Sequence, residues 1–122
     1  RKLVRGLEHL AELALTQLKE VLDAFATRSP ALANAIRERD EEIDAIYTSL
    51  FRELLTYMME DPRNITACTH LLFCAKNIER IGDHATNIAE TVYYVATGEQ
   101  LSADRPKDDE TASMIAPEPG SD

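Results

Sequence analysis

The sequence predicts an all-α fold, an antiparallel up-down-up three-helix bundle, and three observations carry that reading. Apolar residues recur three and four positions apart over most of the chain, the spacing of a helix face. Pro30 and Pro62 follow Ser29 and Asp61, pairings that supply an N-cap and a proline at the first helical position. Glycine is scarce, tryptophan is absent and aliphatic residues dominate, which favours helices over strands. At 122 residues the chain fits one domain whose core needs no disulfide or metal staple.

The first element is expected near residues 1–27, on a stripe of Leu3, Leu7, Leu10, Ala14, Leu18, Val21, Leu22 and Phe25. Ser29-Pro30 opens the second, near 30–60, with Ile36, Ile43, Ile46, Tyr47, Leu50, Leu54 and Met58 on its apolar line. Asp61-Pro62 opens the third, near 62–97, through Ile65, Cys68, Leu71, Leu72, Ala75, Ile78, Gly82, Ala85, Ala89, Val92 and Ala96. Gly98 is placed to end it as the residue just past the helix. Connections this short make neighbouring helices antiparallel. Residues 1–100 thus read as the bundle and 101–122 as an acidic tail. Ser102–Asp122 carries six acids, two bases, three prolines and few large apolar groups, a composition expected to stay disordered.

Gly82 sits on the buried line of the third helix, where a glycine costs about 1 kcal/mol relative to alanine. Flanked by Ala75, Ala85 and Ala89, it is best explained by the close approach of a neighbouring helix. Cys68 and Cys74 lie six apart on this helix and point in different directions, so they read as buried thiols in a reducing compartment rather than a bridge.

A formal charge of −9 argues against general nucleic-acid binding and suits cations or basic protein surfaces as partners. No apolar run approaches a membrane span and no signal peptide is visible, so the expected location is the cytoplasm. The chain opens in mid-helix without an initiator Met, which suggests a piece of something longer.

Two acidic pairs, Asp40 with Asp44 and Glu79 with Asp83, share the spacing Asp/Glu-x-x-x-Asp, which stacks two side chains on one helix face. In a hairpin turning at Asp61-Pro62, Asp40 falls level with Asp83, and Asp44 with Glu79. The pairs either both turn toward a shared groove or both turn away; rotation at 100° per residue leaves the two open. If they converge, four carboxylates need a proton or a cation among them. All-oxygen ligation suits iron, manganese, magnesium or calcium, with zinc as a weaker fit. Asn87, one turn past Asp83, could add an amide oxygen, and Glu90 lies farther along the same side. The bland alternative is a solvated acidic face, with Arg37, Lys76 and Arg80 each three residues before an acid.

Glu8 and Glu12 repeat the spacing at a different level and read as a surface pair; His9 and His70 read as structural. His84 projects outward, so a histidine phosphotransfer module is a rival reading, although no Lys-Gly follows it. No Gly-rich phosphate loop, no Ser/His/Asp or Cys/His arrangement and no His-x-x-x-His helix is present, so the chain does not read as an enzyme. A ferritin-like di-metal oxidase would need Glu-x-x-His on two of four helices.

The stretches LFRELLTYMMEDPRNI (50–65) and LLFCAKNIERIGDHATNIAETVYYVATGE (71–99), with RERDEEIDAIY (37–47) upstream, closely resemble the C-terminal half of the PhoU family of bacterial phosphate-uptake regulators. The resemblance spans roughly residues 1–100 and implies two similar three-helix bundles per full-length chain, of which this would be the second. It implies metal clusters of iron or zinc held by the acidic motifs, here Asp40, Asp44, Glu79 and Asp83. By the same resemblance the function is negative regulation of the phosphate-starvation response. It implies an adaptor between the Pst transporter, through its PstB subunit, and the PhoR sensor kinase. Homodimers, and contact with the membrane only through these partners, are implied as well. The alternative from the residues alone is a structural or oligomerisation bundle without metal.

Overall fold

A computed structural model describes residues 2–101 of the chain. Three long helices, α1 (Lys2–Thr27), α2 (Pro30–Glu60) and α3 (Ile65–Thr97), run up, down and up. Their bounds follow from local chemistry. Ser29 is the N-cap of α2, its Oγ accepting from the Leu32 amide at 3.1 Å, with Pro30 in the first turn. Asp61 accepts from the Arg63 amide at 2.9 Å. Gly98 closes α3 in the left-handed region, φ 75°, its amide donating to the Tyr94 carbonyl at 2.7 Å.

Several expectations are corrected. The third helix does not begin as an α-helix at Pro62: Pro62–Asn64 is a 3₁₀ turn, and α3 starts at Ile65. Leu22 and Phe25 are exposed, because Ala24, which the apolar stripe omits, takes the inward position in that turn. Cys74 is exposed while Cys68 is buried, so only one of the thiols is a core residue. The expected disordered tail lies outside the described residues.

α1 ends without glycine. Arg28 adopts φ 53°, and the Ser29 amide reaches back to the Ala24 carbonyl at 3.2 Å, a Schellman-type closure.

The core is divided. Leu10, Ile43, Tyr47, Leu50, Phe51, Leu54, Cys68 and Ala75 form one buried cluster toward the α2–α3 turn. Val21, Ala24, Ala33, Ile36, Ala85, Ala89 and Val92 form another toward the α1–α2 turn. Buried polar side chains occupy the middle section: Gln17, Asp40, Glu79 and Thr86. Gln17 Nε2 donates to the Ile36 carbonyl at 2.7 Å, tying α1 to α2 one turn before Asp40. Thr86 satisfies its hydroxyl on the Gly82 carbonyl at 3.1 Å. Burying polar groups is costly unless they are bonded, so this midsection is where the fold forgoes apolar packing.

Candidate metal centre

Gly82 decides how closely α2 and α3 approach. A Cβ added there would lie 3.0 Å from Ile43 Cδ1 and 4.0 Å from Asp40 Oδ1. The missing side chain lets α2 seat its Ile43 and Asp40 against α3 at the residue before Asp83.

That approach brings three carboxylates together. Asp40, Asp44 and Asp83 each offer an oxygen, and these oxygens lie within 4.8 Å of one another. Asp40 is 2 % exposed, whereas Asp44 and Asp83 are half-buried. The acidic pairs therefore turn toward the shared α2–α3 groove, one of the two arrangements the spacing left open.

Glu79 has a different role. It is 2 % exposed, and its Oε1 lies 3.3 Å from Lys76 Nζ, one turn earlier on α3. The same ammonium stands 5.3 Å from the ring centroid of Tyr47 on α2, within cation–π range. Lys76 thus supplies positive charge at the Asp44–Glu79 level, and Glu79 stands outside the trio. Asn87 is exposed and faces the groove between α1 and α3, beside Phe25 and Arg28. Glu90 pairs across to α2, its Oε2 3.7 Å from Arg37 Nε.

Two residues escaped the sequence reading. Gln17 falls between Ala14 and Val21 on the α1 line, and a polar residue at that step was the available signal. Lys76 is an i,i+3 partner whose aromatic contact on α2 becomes visible only after folding.

At 4.8 Å two like charges repel by about 3–4 kcal/mol at an effective dielectric of 20. A trio at this spacing therefore favours positive charge close by. A hard cation bonds oxygens at about 2.0–2.6 Å, which fits donor oxygens separated by up to roughly 5 Å. The donor set and its spacing thus fit a cation, with Asp40, Asp44 and Asp83 as the residues that would hold it.

The sequence profile of the PhoU domain matches residues 7–92. The chain belongs to the PhoU family. It is 82 % identical over 114 residues to the phosphate-specific transport system accessory protein PhoU homolog of Rhizobium meliloti (strain 1021), covering 93 % of this chain and 48 % of that protein. The PhoU homolog of Caulobacter vibrioides (strain NA1000 / CB15N) is 57 % identical over 105 residues, 86 % of this chain and 46 % of its own length. That of Pseudomonas aeruginosa is 42 % identical over 90 residues, 74 % of this chain and 37 % of its own. The chain therefore spans about half the length of these PhoU relatives or less. No solved structure matches it.

Proposed function

We propose that this chain is the carboxylate-bearing three-helix half of a non-enzymatic regulator of phosphate uptake. In this reading the regulator represses the phosphate-starvation response when phosphate is plentiful. It works at the cytoplasmic side of the membrane, joining the PstB subunit of the Pst transporter to the PhoR sensor kinase. Membership of the PhoU family and the relatives' role as accessory proteins of phosphate-specific transport support the regulatory part. Among the described residues no helix is long and apolar enough to cross a membrane, which suits contact with it through partners.

The observation that carries the site is the convergence of Asp40, Asp44 and Asp83. A bound cation, iron or zinc by family resemblance, with manganese or magnesium also suited to oxygen donors, would supply charge neutralisation and a fixed spacing between α2 and α3. Asp40 and Asp44 would contribute from α2 and Asp83 from α3. Glu79, held beside Lys76, would join only if that ammonium moved, and Asn87 only from the far side of α3. The burial of Asp40 counts against a merely solvated acidic face.

Metal analysis of the purified protein beside Asp44→Ala and Asp83→Ala tests the site. Metal bound by the parent and lost from both variants supports it; equal, negligible metal in all three removes it. Pull-down with PhoR and PstB fragments, using a chain restored to its relatives' full length, tests the adaptor role separately. Association with neither partner would end that part of the reading. Acid-labile phosphate on His84 would instead favour a phosphotransfer module.

A further inference from the structure

α1 and α3 carry a second apolar seam on the side away from the carboxylates. On α3, Ile81, Ile88 and Val95 are exposed and fall seven residues apart. Between them stand Asn77, His84 and Thr91, also exposed and also seven apart, so the two sets alternate three and four positions along the helix. That is the a/d spacing of a coiled-coil seam.

α1 runs parallel to α3 and repeats the device. Leu15 and Leu22 are exposed seven apart, and Phe25 follows one turn on. Between the two ladders lies a groove of about 600 Å³, with Phe25 and Arg28 on one wall and Ile88 and Val95 on the other. Phe25 is 68 % and Leu22 57 % exposed, values that an isolated helix pair has no reason to keep. At these exposures the ladder side chains leave on the order of 600 Å² of apolar surface uncovered. That exceeds what a monomer commonly shows and approaches the roughly 800 Å² per partner of a stable interface.

We propose that this face is an interface between two copies of the chain, related by a two-fold axis, with α1 and α3 of each lying against those of the other. The face suits its own copy because it presents both halves of a knob-and-hole surface, two ladders and the groove between them. The polar positions at Asn77, His84 and Thr91 serve register rather than strength, as polar residues at a seam do. A membrane surface is a poor occupant: interfacial helices flank their apolar face with Lys and Arg, whereas this chain carries −9. The inference is independent of any cation at the carboxylates.

The test is sedimentation equilibrium of the 122-residue chain from about 1 to 100 µM, the range that brackets an interface of this size. A dimer is expected for the parent, with association at least about tenfold weaker in Leu22→Glu and in Ile88→Glu, since each buries a charge in the interface. Both positions are exposed, so far-UV circular dichroism should be unchanged; Leu22→Gln and Ile88→Gln repeat the test without added charge. Met59→Glu, 84 % exposed at the opposite end of the bundle, should leave the dimer intact. A parent that stays monomeric at the highest concentration overturns the proposal, as does a dimer that survives all four ladder substitutions. Loss of the dimer in Met59→Glu would also overturn it, by moving the interface elsewhere.

Discussion

Ile43 places its Cδ1 3.0 Å from the position a Cβ on Gly82 would occupy, so the two residues form a single fitted contact between α2 and α3. An alanine at 82 would gain about 1 kcal/mol of helix propensity but would overpack Ile43, at a cost of about 1–3 kcal/mol. Gly82→Ala alone should therefore be neutral to destabilising. Ile43→Val removes Cδ1 and leaves Cγ2, which would lie at an ordinary 3.5 Å. In that background Gly82→Ala should stabilise by about 1 kcal/mol over Ile43→Val alone. Urea unfolding of the four proteins measures it; an equal effect of alanine in both backgrounds would show that the contact does not limit the site.

Neutralising one member of the trio should have opposite effects with and without metal. In chelator-treated buffer Asp83→Asn should be more stable than the parent by about 1 kcal/mol, as repulsion within the group falls. With a cation at 100 times its dissociation constant the parent should gain about 2.7 kcal/mol, and the variant much less. Thermal melts with EDTA and with excess manganese, iron or zinc read both arms. Identical melting of the two proteins under both conditions would show that the three carboxylates do not act together.

The bounds of the bundle were legible because the chain states them chemically. Ser29-Pro30 and Gly98 perform the capping their residue types suggest, and Asp61-Pro62 opens the next segment, though as a 3₁₀ turn first. The convergence of Asp40 with Asp83 was legible only as far as height along the hairpin. Direction depends on how deeply Gly82 lets α2 settle, a tertiary quantity. Glu79 left the expected quartet because Lys76 lies within reach on its own helix and is held by Tyr47 from the other. The outer seam was hidden by a stripe that counted Leu22 and Phe25 as core, when apolar residues on α1 serve two faces.

Glu20 and Arg39 join α1 to α2 by a two-pronged ion pair, in which Arg39 Nη1 donates to Glu20 Oε2 at 3.1 Å and Nη2 to Oε1. The hydrogen bonds from Arg39 hold the Glu20 carboxyl below its ordinary 4.5. A depressed folded-state value means that the pair stabilises the protein fully above pH 4.5 and loses its effect as pH falls through that lower value. Both side chains are about a third exposed, so Glu20→Gln should cost only about 0.5–1 kcal/mol at pH 7. The gap between parent and variant should close below pH 4.5. A gap that stays constant down to pH 3 would show that the ion pair is not its source.

Arg28 holds φ 53° with an exposed side chain. An L-residue in the left-handed region costs about 1–2 kcal/mol, and glycine does not bear that cost. Arg28→Gly should raise the stability of dilute protein by about 0.5–1 kcal/mol, after allowing for glycine's greater freedom when unfolded. Guanidinium titration measures it, and a loss of stability would show that the arginine side chain matters more than its backbone.

The division of the core by Gln17, Asp40, Glu79 and Thr86 gives the molecule a stiff end and a soft end. The Leu-, Phe- and Tyr-rich cluster buries large side chains worth about 1.5–3 kcal/mol each, whereas the alanine-lined cluster has little to lose by opening. Amides around Ala33 and Ala89 should therefore exchange with deuterium well before those around Leu50 and Leu54, with the α1–α2 connection loosening while the opposite hairpin stays closed.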